Sequence, residues 1–212
     1  MSIRPNVFAW VLGVLILTRP DLLPAQKKPV TQPLATAAVA GQGVVIVPFS
    51  MVVIEPSVPA GTFKADRVTL LRWSDSVLVD GAINRAPEAK WIAPQELRRV
   101  ARRGAGLLAD PDQMGQSIMR GWNMTTVPDP LRSNLRRLLA VAGGERFALI
   151  PASLVFSTDS AGALAATMSI VLADVRTGRV VWRSMAKGRD GTPEQVLGKA
   201  VATVFPVEGT QP

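Results

Sequence analysis

The sequence predicts an α/β protein: a single mixed β-sheet with helices packed on it, ending in an antiparallel hairpin followed by a helix. Three observations carry that expectation. Leu164, Ala166, Met168, Ile170 and Leu172 alternate with Ala165, Thr167, Ser169, Val171 and Ala173, the period of a strand with two distinct faces. Arg176-Thr177-Gly178 then supplies a three-residue loop with Gly178 at the left-handed position, and Arg179 to Lys187 returns as a second strand. Finally, Thr192-Pro193-Glu194-Gln195 opens a helix with a capping residue, a proline in the first turn and a capping box. Val196, Leu197, Ala200, Val201, Val204 and Phe205 form the stripe that this helix lays on the sheet. In the return strand, Val180 and Trp182 are expected on one face and Arg179, Val181 and Arg183 on the other. Gly188 and Gly191 are expected to interrupt it.

In chain order, residues 1–25 read as a secretory leader. Arg4 is the positive start, and Val7 to Leu17 is an apolar run shorter than the about 20 residues a membrane span needs. Leu23-Pro24-Ala25 offers a cleavage site before Gln26. The alternative is an uncleaved amino-terminal anchor, and either places the rest outside the cytoplasm. Residues 26–42, rich in Pro, Ala and Thr, read as a flexible linker. Residues 43–206 read as one domain and 207–212 as a tail.

Within the domain, Val44 to Phe49 is a β-branched run suited to a strand buried on both faces, with Pro48 ending its pairing and Met51 to Ile54 extending it after a bend. Pro56 to Gly61 is a loop. A helix from Leu70 to Ala86 buries Leu70, Leu71, Ser74, Val77, Leu78, Gly81 and Ala82, with Ser74 or Asp75 as caps for a later start; Pro87 stops it. Lys90 to Ala93 is a short strand. Pro94 begins a second helix that points Leu97, Val100 and Ala101 inward and ends at Gly104. Arg98, Arg99, Arg102 and Arg103 fall on its other faces. Asp110-Pro111-Asp112-Gln113 starts a short helix to about Arg120 with Met114 and Ile118 as its core pair. Trp122 follows in a loop, as a packing residue or a ligand platform. Asp129-Pro130 opens a helix with Leu131, Leu135, Leu138, Leu139 and Ala142 inward and Arg132, Arg136 and Arg137 in solvent; Gly143-Gly144 ends it. Phe147 to Ser157 is a strand broken at Pro151, and Asp159 to Gly162 is a turn.

The composition narrows the chemistry. The chain has 24 Lys and Arg against 16 Asp and Glu, a net charge of +8, and no Cys, His or Tyr. Disulfides, thiolate nucleophiles, imidazole bases and the usual zinc sites are therefore excluded. Asp, Glu, Lys, Ser and Thr remain for catalysis, and no spacing organises them into a site. Asp66, Asp75, Asp80 and Glu88 lie close in sequence, the starting material for a carboxylate-based hydrolase. No cofactor and no metal ligand set is expected. The charge fits nucleic acid, anionic lipid or an acidic wall polymer, but no basic–aromatic interleaving singles out nucleic acid. The one basic cluster with a binding reading is Arg98, Arg99, Arg102 and Arg103, whose guanidinium forks match phosphate or carboxylate; the alternative is a solvated helix face.

VVIVPF (Val44 to Phe49), WIAPQELRRVARR (Trp91 to Arg103), RFALIPASLVF (Arg146 to Phe156) and VLADVRTGRVVWRS (Val171 to Ser184) resemble phrases of a group of bacterial envelope domains. That group includes the amino-terminal domain of TolB-type proteins, the CsgG type and the LpoB-type penicillin-binding-protein activators. The resemblance implies the same order of elements and a role in the envelope. It assigns no residue roles. Unlike the CsgG and LpoB types, this chain has no Cys to accept lipid, and unlike TolB no propeller follows. The expected function is thus a non-enzymatic exported envelope protein, an accessory or binding domain for a protein or envelope component. The alternative is an Arg-mediated binder of an anionic polymer such as wall polymer, lipopolysaccharide or nucleic acid.

Overall fold

Strand β4 (Phe147–Thr158) organises the sheet in the computed structural model, which describes residues 30–206. The leader expected at 1–25, the first linker residues and the tail lie outside the described residues. β4 pairs antiparallel with β5 (Leu164–Asp174), and β5 with β6 (Arg179–Arg189). Its other side is flanked by two parallel strands in succession. β1 (Gly43–Ile46) lies beside Phe147 to Leu149, and β2 (Val52–Ile54) beside Leu154 to Phe156. β3 (Lys90–Ile92) runs parallel to β1. The order is β3-β1-β4-β5-β6, with β2 against the second half of β4. This is the mixed sheet the sequence predicts, with the hairpin and final helix at its carboxy end.

Among the described residues, four α-helices sandwich the sheet: α1 (Arg67–Arg85), α2 (Pro94–Arg103), α3 (Leu131–Ala142) and α4 (Pro193–Val204). On one face Val44, Ile46, Leu149, Met168 and Ile170 meet Leu78 of α1 and Leu197 and Val201 of α4. On the other, Val45, Val47, Ile150 and Val171 meet Leu97 and Val100 of α2 and the Leu131, Leu135, Leu138 and Leu139 stripe of α3. Both faces of β1 and of central β4 are therefore dry, which is why their sequences read as near-continuous apolar runs.

Two bulges explain where strict alternation misleads. In β4 the register jumps between Pro151 and Ser153, leaving Ala152 as the extra residue. Leu149 before it and Leu154 and Phe156 after it then share one core face despite opposite parity. The break expected at Pro151 is this bulge. In β6, Trp182 faces Leu172 and Val180 faces Ala173, so Val181 is the extra residue and is 52% exposed. Val180 joins the α2/α3 core and Trp182 the α1/α4 core, not one face as the alternation implied.

Gly188 does not interrupt β6, which runs to Arg189. It lies under α4, where a Cβ would collide with the Val196 carbonyl oxygen and lie 2.7 Å from the Ala200 nitrogen. α4 starts as expected: Thr192 and Gln195 form both bonds of the capping box.

Other local expectations shift. α1 begins three residues early, because Asp66 accepts the Thr69 N–H, and Ser74 and Asp75 are buried mid-helix rather than capping. Gly104 closes α2 without a left-handed backbone. The helix expected over residues 110–120 is two 3-10 turns, Pro111–Gln113 and Gln116–Arg120, separated by Gly115 at φ 77°. That break turns Met114 and Met119 inward and leaves Ile118 50% exposed. Trp122 packs under the Arg183 guanidinium, 5.7 Å from its ring centre, while Arg183 donates to the Met119 and Met124 carbonyls.

The linker expectation fails for residues 30–42. Leu34 and Val39 are buried in the α1/α4 core, and Thr36–Val39 forms a 3-10 turn. The Val30 carbonyl accepts the Met185 N–H, the Gln32 N–H reaches Ser184 Oγ, and the Pro33 carbonyl accepts from the Trp182 indole. This strap runs along the open side of β6. At the other end of β6, Thr125 to Val127 bonds to Gly178 and Val180. A spacer-like composition thus hides two anchoring apolar residues and a run of edge hydrogen bonds.

Candidate functional site

The four arginines singled out on α2 take four different positions. The helix buries Leu97, Val100 and Ala101, and its approach to α1 carries Arg98 into that interface as well. Arg98 is 6% exposed and Asp75, one turn from Leu78 on α1, is 1% exposed. Arg98 Nη2 donates to Asp75 Oδ2 at 2.6 Å and to Asp112 Oδ1 at 2.6 Å. Its Nε donates to both Asp112 oxygens at 3.0 and 2.9 Å. The remaining Asp75 oxygen accepts the Phe49 N–H at 2.8 Å, which ties the pair to the end of the β1 segment. Asp112 is 33% exposed and sits on the loop after α2. Gln116 holds that loop down by donating to the Pro48 and Pro111 carbonyls. The sequence-level placement of Arg98 on an outward face is therefore corrected: a carboxylate buried at Asp75 needs a cation, and Arg98 is the residue in reach.

The three other arginines stay outside. Arg99 pairs with Glu96 one turn back on its own helix. Arg102 and Arg103 are exposed, near the carboxy end of α2, where its dipole favours positive charge. Arg102 also borders a groove of about 340 Å³ that Arg72 of α1 lines too. Buried Arg98, Asp112, Leu108 and Asp110 line it as well. Among the described residues, neither Arg72 nor Arg102 has a carboxylate within ion-pair distance. Arg99 and Arg103 do not line the groove, so the four do not converge.

Burial pushes the Asp75 carboxyl up to about 6, against the opposing pull of the Phe49 N–H and Arg98. Burial also opposes the Arg98 charge, but the bonds to Asp112 and Asp75 outweigh it and hold the guanidinium above its usual range. The acid cluster considered for hydrolysis disperses. Asp66 caps α1, and Asp80 and Glu88 are exposed. The carboxylates that do approach each other are Asp75 and Asp112, and Arg98 lies between them. Sequence reasoning used Asp112 only as a helix-start residue and missed this. The signal that could have found it was Asp75 itself, an acid inside the buried stripe of α1.

Among the described residues, no group of three His, Cys, Asp or Glu side chains is placed to hold a metal, and no helix is long and apolar enough to cross a membrane.

No protein-family model matches the chain, and no curated protein matches it. Among solved structures, the chain is similar to LpoB from Escherichia coli determined by NMR, at 13% identity and a TM-score of 0.42, over 90% of this chain and 83% of that one. The LpoB C-terminal domain from Salmonella enterica is 17% identical with a TM-score of 0.36, over 71% of this chain and 83% of that one. The PelC dodecamer from Paraburkholderia phytofirmans is 13% identical with a TM-score of 0.36, over 82% of this chain and 92% of that one. No residue role passes from these structures to this chain.

Proposed function

We propose that this chain is an exported, non-enzymatic accessory protein of the cell envelope, which binds a partner protein at the α1/α2 groove. The observation that carries this reading is the division of labour inside the groove. Arg98 holds the two neighbouring carboxylates, while Arg72 and Arg102 face solvent at the rim. Asp75 lies under the Arg98 guanidinium, so it has no path to a substrate. Asp112 gives its oxygens to the same guanidinium and is a poor general base. Two free guanidinium forks beside a fixed ion-pair cluster instead suit docking of a carboxylate-bearing protein segment. The leader-like start at residues 1–25 supports export.

The test is site-specific photo-crosslinking in intact cells, with the crosslinker at Arg103 beside the groove and, as control, at Asp159 in the β4–β5 turn. A discrete adduct from position 103 that disappears with Arg72→Gln/Arg102→Gln supports the reading. An adduct that forms equally from both positions, or survives the double substitution, overturns it. Mature protein beginning at Gln26 supports a cleaved leader, and intact protein in the cytoplasmic fraction overturns export.

A further inference from the structure

A second arginine surface lies on α3, whose arginines the sequence reading left as solvated, and on the β5–β6 turn. α3 buries Leu131, Leu135, Leu138 and Leu139, which forces Arg136 and Arg137 outward. The β5–β6 turn packs against its flank. Arg132 lies across Gly178, so closely that a Cβ there would meet its Nε at 2.5 Å. Gly178 is also at φ 75°, so the position favours glycine twice over. Arg132 Nε is buried and has no hydrogen-bond partner among the described residues.

Two depressions run together over this surface. One, of about 190 Å³, is lined by Arg136, Arg176, Val175 and Glu145. The other, of about 530 Å³, is bordered by Arg136, Arg137 and Ser133. Arg136 and Ala140 border both, so the two adjoin as a trough bordered by Arg136, Arg137 and Arg176; Arg137 also donates to the Ser133 carbonyl and to Asn134 Oδ1 on its own helix. Two acids are nearby: Asp129 accepts the Ser133 N–H and hydroxyl, and these bonds and then the charges of Arg132 and Arg136 hold its carboxyl below the usual range, while Glu145, 3.8 Å from Lys90, itself lines the smaller depression. Among the described residues no carboxylate is within ion-pair distance of Arg132, Arg136, Arg137 or Arg176.

We propose that this trough binds a linear polyanion that carries a phosphate or a carboxylate on its repeating unit. Arg137, Arg136 and Arg176 border two depressions that adjoin at Arg136, which suits a chain that carries repeated charges. Single-stranded nucleic acid is held by aromatic stacking as well as charge, and none of the lining residues is aromatic. The proposal extends the binding reading to a second element, and it does not depend on Arg72 or Arg102.

The test uses the full chain with labelled polyphosphate and labelled polygalacturonate, followed by fluorescence anisotropy as salt is raised. Binding to one or both is expected, weakening steeply between about 50 and 200 mM salt. Preference for the first identifies phosphate as the recognised group, and preference for the second identifies carboxylate. Arg136→Gln/Arg137→Gln/Arg176→Gln is expected to lose about tenfold or more in affinity. These residues are exposed, so the melting temperature should hold. Arg72→Gln/Arg102→Gln should bind the polymer as the parent does, whether or not it loses its protein partner. Unchanged affinity in the triple variant, loss in the α1/α2 variant instead, absence of binding to either polymer, or tighter binding to an oligo-dT strand or phosphatidylglycerol vesicles overturns the proposal.

Discussion

Replacing Arg98 with methionine removes the guanidinium and keeps the stem. Asp75, 1% exposed, is then left with only the Phe49 N–H. Breaking a buried ion pair from one side costs about 3–5 kcal/mol. Asp112 is 33% exposed and returns to water, so about 3 kcal/mol at the lower end applies. In a domain of this size that lowers the melting temperature by roughly 6–12 °C. The pH dependence follows from Asp75, whose folded value of about 6 lies above its ordinary 3.8. The folded state binds more protons than the unfolded state between those values. The stabilisation from Asp75 is therefore fully present at pH values below 3.8 and is lost as pH rises through about 6. Arg98 limits that loss, and without it the carboxyl is pushed further up. The cost of Arg98→Met is thus largest at about pH 7.5 and shrinks at about pH 5, where Asp75 is protonated in both proteins. Urea denaturation of the full chain at the two pH values measures it. Arg98→Met/Asp75→Asn should recover more than half of the loss at the higher pH. A cost below about 1 kcal/mol at both, or one that grows on acidification, would refute the assignment of Arg98 as the charge that compensates Asp75.

Three further outcomes are expected. Gly188→Ala forces α4 off β6, because the obstacle is backbone that no rotamer change relieves, and should cost about 1–3 kcal/mol or more by denaturant titration. Leu34→Ala should cost about 2–3 kcal/mol and speed amide exchange at Met185, whose N–H bonds to the strap; unaltered exchange there would mean that Leu34 does not anchor it. Deleting Ala152, the extra residue, removes the β4 bulge and leaves Leu149, Leu154 and Phe156 on one face by ordinary alternation, so circular dichroism and gel filtration should report a folded monodisperse chain; an unfolded or aggregated one would show that the bulge itself is required.

The elements that announced themselves in the sequence are those whose signal is local. The α4 capping box and the α3 leucine stripe each need only a few neighbouring residues, and each forms as read; Gly178 takes the left-handed conformation expected of it, in a loop of four residues, Val175 to Gly178, rather than three. What was illegible depends on residues far apart in the chain. The bulge at Val181 splits Val180 from Trp182, and it is set by the pairing of β6 with β5 rather than by composition. The strap at residues 30–42 gains its order from β6 and α4, well over a hundred positions later. The site shows the same limit. Its arginines are conspicuous in sequence, but only the packing of α2 on α1 separates buried Arg98 from exposed Arg102. The α3 trough is invisible without the β5–β6 turn that brings Arg176 beside Arg136.

The docked strap also sets the reach of whatever precedes it. A free linker over residues 30–42 would allow up to about 45 Å of travel between Gly43 and the segment ahead of the linker. Held along β6, those residues contribute no slack, and the preceding chain departs from the Ser184–Met185 edge. An uncleaved leader would hold the domain on a short leash with that edge foremost. Cleavage would release the domain with its strap still in place.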